Sequence, residues 1–253
     1  MVLPPGWSID VRGGSTVSIS TEQANSGGSS IKIVSAGGGY SRGFITMDLT
    51  RVPSLQKEMY GRAMVYINDE NSNGGDFTFL QAEGNKPQAA SGAPAGTDIL
   101  YRSSIDQRFD HVISKYDTWI DEDADNQSDW QTDCVKQPQI RENRPPSAAY
   151  LFPKNQWVCV QWHIRQSSNH IGISLNGTLL SAITVYGSGT SCVNEITQGG
   201  IWYAPETFDQ ISLGVEQYAD DAKSRTLYID DIMLDTQLVS CDGQLLDPSE
   251  GDH

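Results

Sequence analysis

The chain has 253 residues, 38% of them hydrophobic, which is enough for a substantial core in one domain, because all-β sandwiches and barrels often reach this length undivided. Its 17 basic and 32 acidic residues give a formal charge of -15, which argues against double-stranded nucleic acid and anionic membranes as partners, since both reward a basic surface. The balance is uneven: eight basic residues lie between Arg102 and Arg165, whereas from Glu195 onward 13 acidic residues meet only Lys223 and Arg225, so an acidic protein with a locally basic groove is one reading and an ordinary acidic surface the other.

Thirteen strand-like segments follow one another with turn signals between them, beginning with GWSIDVRG, STVSISTE, SSIKIVSA, GFITMDL and EMYGRAMVYIND. DFTFLQAEG follows, with Gln81 among its polar residues, and then GNKPQAASGAPAGT, an insertion rich in Gly, Ala and Pro. DILYRSSI places Leu100, Arg102 and Ser104 on one face; HVISKYDT places His111, Ile113, Lys115 and Asp117 on one face and Tyr116 on the other. A second insertion runs from about Asp117 to Pro153, and loops of this length are usually functional or disordered. In WVCVQWHIRQ, Val158, Val160, Trp162 and Ile164 form an apolar row, opposite a polar row of Cys159, Gln161, His163 and Arg165. HIGISLNGTLLSAITVYG reads as a hairpin turned at Asn176-Gly177, and FDQISLGVEQY and RTLYIDDIMLDTQLV close the series. With no helical stripe, the pattern predicts an all-β, two-sheet antiparallel sandwich, a single domain over 1–243 with a flexible tail over 244–253.

Cys134, Cys159, Cys192 and Cys241 show no metal-ligand spacing, and their even number suits two disulfides in an oxidising, extracellular setting. Of the three pairings, Cys134 with Cys159 and Cys192 with Cys241 are favoured by nearness to a shared loop. No apolar run approaches the length of a membrane span, and MVLPPGW has no signal-peptide pattern, so a secreted protein without its leader is expected.

The opening GW followed by SGGSSIKIVS, with LYIDDIML near the end, resembles the jelly-roll sandwiches of carbohydrate-binding modules and polysaccharide lyases, the concanavalin-A-like folds. EMYGRAMVYIND, FTFLQAEG, YRSSIDQ, SKYDTW, TDC, WVCVQWHI, LGVEQY and LYIDDIMLDTQLVSC, in that order, extend the likeness to a family related to glucuronan lyases and a fungal cellulose-induced protein. The resemblance implies a β-jelly roll with a concave groove holding a polysaccharide. In the acidic-sugar branch of the family the reaction is β-elimination, for which the uronate carboxylate must be neutralised while a base removes the neighbouring C5 proton. Arg102 and Gln107 match the Arg and Gln positions of the family and would hold the carboxylate; His163 with Tyr218 would move protons; Gln161, Arg165, Lys115, Gln81 and Tyr116 would line the sugar path. A surface role for the row of Gln161, His163 and Arg165 competes with that reading. Trp119, Trp130, Trp202 and Tyr203 would either stack on sugar rings or fill the core.

Asp121, Asp123 and Asp125 have the spacing of the start of a calcium loop, but Asn126 and Thr132 stand where its turn Gly and bidentate Glu belong, so a solvated acidic loop is the competing reading. Jelly rolls of this kind also carry calcium where first and last strands meet, where Asp230 would be a ligand. No cofactor is expected for the elimination itself, only a structural calcium. No Glu-x-Asp-x-x-Glu stretch supports glycoside hydrolysis, and no G-x-S-x-G supports a serine esterase. The expected protein is a secreted, monomeric polysaccharide lyase; the alternatives are a noncatalytic carbohydrate-binding module and a calcium-dependent adhesion domain.

Overall fold

In the computed structural model of the protein, the structure describes residues 3–68, 75–85, 98–106, 109–120, 130–139, 146–193 and 200–246. These residues form sixteen strands, and every strand pairing is antiparallel. The first sheet has the order β1 (Trp7–Arg12), β4 (Ser41–Asp48), β15 (Gln210–Gln217), β6 (Phe77–Asn85), β7 (Asp98–Asp106), β8 (His111–Ile120), β9 (Trp130–Lys136) and β14 (Thr190–Val193). The second has the order β12 (Thr178–Leu179), β11 (His170–Leu175), β10 (Trp157–Arg165), β5 (Glu58–Ile67), β16 (Arg225–Asp235), β3 (Ser30–Ser35) and β2 (Thr16–Ser20), and β13 (Val185–Tyr186) pairs with β11. The two-sheet sandwich expected from the alternating pattern, in the jelly-roll form that the resemblance implies, is the fold of this chain. Strand β9 was hidden in the second insertion, where no alternation announced it.

Alternation supplies the core. Ile45, Leu80, Tyr101 and Leu213 of the first sheet meet Ile33, Val160, Trp162, Ile173 and Leu227 of the second, all essentially solvent-free. Removing each of the larger aliphatic side chains from water stabilises by about 1.5 to 3 kcal/mol. The row Val158, Val160, Trp162 and Ile164 lies in this layer, so Gln161, His163 and Arg165 point away from it. Trp162 lies over Gly61, its cross-strand neighbour on β5; a Cβ at Gly61 would stand 2.3 Å from the indole. The Gly61→Ala variant is therefore expected to lose about 1 to 3 kcal/mol of unfolding free energy through overpacking. A urea midpoint equal to that of the parent protein would show that Trp162 finds another rotamer.

Two neighbouring bulges shape the first sheet. Phe79 is an extra residue of β6 relative to β7, which turns both Phe79 and Leu80 into the core and leaves Thr78 and Gln81 on the outer face. On β15 the register against β6 slips between Leu213 and Glu216, where Gly214 adopts φ +152° and a Cβ would meet the Gly43 carbonyl oxygen at 2.0 Å. Only glycine fits there.

The disulfides are Cys134–Cys192 and Cys159–Cys241, which corrects both favoured pairings. Cys134 and Cys159 are near in sequence but belong to different sheets, whereas Cys134 and Cys192 lie on the paired strands β9 and β14, with Cα atoms 4.0 Å apart. Cys241 belongs to a segment that crosses the outer face of the second sheet. Gln161 donates to the Val239 carbonyl (2.7 Å) and Arg62 to that of Cys241 (3.2 Å). The same segment bridges Val239 to Leu245, so ordered pairing continues past residue 243.

Candidate functional site

The outer face of the first sheet carries a row of polar side chains placed by register. Arg102 of β7 stands opposite Gln81 of β6 and Lys115 of β8; Gln81 stands opposite Ser212 of β15, and Ser212 opposite Thr46 of β4. In adjoining rows Arg42 faces Glu216 and Asp117 faces Asp133. Because their neighbours Tyr101, Tyr116 and Val215 fill the core, strand alternation leaves these groups on the outer face.

Arg102 is the hub. It is 4% exposed, and every nitrogen of its guanidinium has a partner. Nε donates to Gln81 Oε1 (2.9 Å) and Nη1 to Tyr218 Oη (3.2 Å), while Nη1 forms an ion pair with Asp117 Oδ2 (2.7 Å) and Nη2 one with Glu216 Oε2 (3.1 Å). Glu216 is shared with Arg42, whose Nε donates to Oε1 (2.6 Å) and whose Nη2 also contacts it; Arg42 Nη1 reaches Asp10 Oδ2 (2.8 Å). The result is an alternation of charge, Asp10, Arg42, Glu216, Arg102, Asp117, across the sheet. In low dielectric such pairs hold only because each charge has opposite neighbours and directed hydrogen bonds. Burial alone would make both arginines give up a proton more easily, but the carboxylates outweigh it and keep both guanidinium groups firmly charged.

Two tyrosines cover this network. Tyr40 and Tyr218 lie with ring centroids 5.2 Å apart, 40% and 44% exposed, and Tyr40 donates to Glu216 Oε1 (3.2 Å). They offer an aromatic surface to a sugar face. Burial of its hydroxyl, opposed by Arg102 and reinforced by Glu216, pushes the Tyr218 phenol well above its ordinary value, so it keeps its proton at neutral pH. Gln81 continues the chain in the other direction, donating from Nε2 to Glu83 Oε2 (3.0 Å). The Glu83 carboxyl is raised by burial and then by Asp98, which makes it a better base than an ordinary carboxylate. Arg102 thus has a held proton on one flank and a proton acceptor on the other.

Of the residues expected from sequence, Arg102, Gln81, Lys115 and Tyr218 meet on this face. His163, Gln161 and Arg165 do not: they lie on the outer face of the second sheet, across the whole core. There His163 stacks on Tyr60 (3.9 Å) and bonds Glu58 (2.9 Å), Arg165 bonds Ser168 (2.9 Å), and Gln161 anchors the crossing segment. The pairing of His163 with Tyr218 is therefore corrected, because alternation separates inward from outward residues and is silent about which sheet a strand joins. Tyr116 is also corrected: it is buried in the core and stacks on Trp202 (5.7 Å), so neither ring can touch a sugar. His111 is buried at the start of β8, bridged to Leu151. Gln107 and Asp121, Asp123 and Asp125 lie outside the described residues. Asp230 sits before a bulge of β16 at which Asp231 has φ +49°, and its Oδ2 accepts from the backbone of Asn25 (2.9 Å) and Ser26 (3.1 Å). Asp231 accepts from the side chains of the same two residues. These carboxylates are engaged by N–H and O–H donors, and among the described residues no three acidic, His or Cys side chains gather to hold a metal. Sequence reading missed Arg42, Tyr40, Glu83 and Asp133. Arg42 was visible only as a cation in phase with Phe44 and Thr46 on GFITMDL.

Fold and outer face together define a two-sheet β-jelly roll with a hydrogen-bonded charged face. Among solved structures, the chain is similar to the cellulose-induced protein Cip1, with TM-score 0.59 and 22% identity over 93% of both chains. It is equally similar in fold to an endo-β-1,4-glucuronan lyase from the fungus Trichoderma reesei, with TM-score 0.59 and 14% identity over 92% of both chains. At these identities the likeness is one of fold. No family model matches the chain, and no curated protein matches it.

Proposed function

We propose that the protein is an extracellular polysaccharide lyase that cleaves a uronate-containing polymer by β-elimination on the outer face of the first sheet. The observation that carries this reading is the Arg102 hub, flanked by Tyr218 on one side and by Gln81 and Glu83 on the other. A uronate carboxylate docking there exchanges with one of the carboxylates now held by Arg102, and the guanidinium disperses the charge that develops at C5. Glu83 takes the C5 proton, the C4=C5 double bond forms as the C4–O4 bond breaks, and the Tyr218 hydroxyl gives its proton to the departing O4. Tyr40 and Tyr218 hold a sugar ring by its apolar face, and Lys115 attracts the polyanion. Two disulfides accord with an oxidising compartment, and no helix among the described residues is long and apolar enough to cross a membrane. Similarity in fold to a glucuronan lyase makes glucuronan the first polymer to test.

The test follows the far-ultraviolet absorbance of the unsaturated product during incubation with glucuronan and other uronate polymers. We expect a rise with at least one of them, at the same rate in the His163→Ala variant, whose substituted residue lies on the opposite face. Retention of oligosaccharide without any rise would make the protein a noncatalytic binding module, and a collapse of turnover in His163→Ala would move the site to the second sheet.

A further inference from the structure

Resting on the reading of this face as a uronate site, a second feature deepens it. Asp117 and Asp133 stand directly opposite one another on β8 and β9. Each has a buried Oδ1 atom with no hydrogen-bond donor. Ionised carboxylates are acceptors only, so two ionised groups in this position would leave both atoms unsatisfied and set like charges side by side. One proton between them removes both difficulties. Burial, with a smaller contribution from Asp133, raises the Asp117 carboxyl to about 6 against the opposing effect of Arg102.

The pair also touches the hub. Asp117 Oδ2 is 2.7 Å from Arg102 Nη1, whereas the other carboxylate on Arg102, Glu216, is held independently by Arg42. Asp117 is therefore the partner that a sugar carboxylate can most readily displace. The remaining charges on this face are Lys115, with Nζ 3.9 Å from Asp133 Oδ2 and 4.0 Å from Asp76, then Asp98 of β7, Glu83 of β6, Glu216 of β15, Arg42 of β4 and Asp10 of β1. They are mostly negative, and a second carboxylate entering without a compensating proton would add to an excess of like charge.

We propose that Asp117 and Asp133 act as one proton-binding unit, and that a sugar carboxylate docks on Arg102 together with one proton held between their Oδ1 atoms. Asp133 is then a specificity-determining residue: it lets a buried, fully paired arginine accept a carboxylate from outside. In the Asp133→Asn variant the amide Nδ2 donates to Asp117 Oδ1 at every pH, which fixes the singly charged state without a proton.

The experiment uses calorimetric titration of the whole protein with a glucuronan oligomer in two buffers of different ionisation enthalpy at neutral pH. Wild type is expected to take up a substantial fraction of a proton for each carboxylate bound, and Asp133→Asn to take up none while still binding. Equal uptake in both, or none in wild type, overturns the proposal. Infrared spectra of the unliganded protein give a separate reading: the protonated-carboxyl C=O band should appear in wild type as the pH falls through the titration of Asp117 and be absent at that pH in Asp133→Asn. Its absence from wild type also overturns the proton unit. If the infrared band behaves as expected but no uronate oligomer binds, the shared proton stands and the uronate reading of the face falls.

Discussion

Replacing Arg102 by alanine is expected to cost about 3 to 5 kcal/mol of unfolding free energy and to abolish turnover on any uronate polymer. The cost arises from what is left behind. Asp117 loses its closest cation at 2.7 Å, Glu216 loses one of two, and Gln81 and Tyr218 each lose a donor, all in a region Arg102 screens from water. Glu216 keeps Arg42, so the collapse is centred on Asp117. Lysine in place of Arg102 should recover only part of the stability, because one ammonium cannot satisfy in fixed geometry the four groups that the planar fork serves. Denaturant titration checks the first statement and product absorbance the second. A loss of less than about 1 kcal/mol would mean that the network adds little beyond exposed ion pairs.

Tyr218→Phe should separate chemistry from stability. The ring and its packing on Tyr40 remain, one hydrogen bond from Arg102 is lost, and stability should change by no more than about 1 kcal/mol. Turnover should fall by roughly 10² to 10⁴-fold, because the proton for the leaving oxygen then has to come from water. The Michaelis constant should change little, since the substrate still meets the same ring. Burial holds the phenol above its ordinary value, so in wild type the donor is protonated across the whole neutral range, and turnover should not lose this proton until strongly alkaline pH. A variant with wild-type turnover would exclude Tyr218 from proton transfer.

Much of this architecture was legible in the chain. The period-two pattern of WVCVQWHIRQ placed Val158, Val160, Trp162 and Ile164 inside and Gln161, His163 and Arg165 outside. It could not say on which of two sheets that strand lay, because inward-facing residues look the same from either side of a core. His163 and Tyr218 were assigned to one site for that reason, and they belong to opposite surfaces. The pairing of cysteines was lost the same way: nearness along the chain suggested Cys134 with Cys159, while strand order decided for Cys192. The bulge at Phe79 left a trace in FTFLQAEG, where the apolar phase slips from Phe77 and Phe79 to Leu80 and Ala82, and that slip is what brings Gln81 to the same face as Arg102. Arg102 and Gln81 were recovered because both the alternation and the resemblance pointed to them. Asp133 carried no local signal; its role depends on a strand partner that pattern alone does not name.

The border of the first sheet formed by β14 is only four residues long and is tied by sulfur to β9. A sheet margin ordinarily offers unpaired amides and carbonyls to any extended peptide, and natural proteins keep such margins short or covered. Here a covalent clasp holds the cover in place. Under reducing conditions the short strand would be retained by its hydrogen bonds alone, and its departure would bare β9 as a template for chain-to-chain zippering well before the sandwich itself melted.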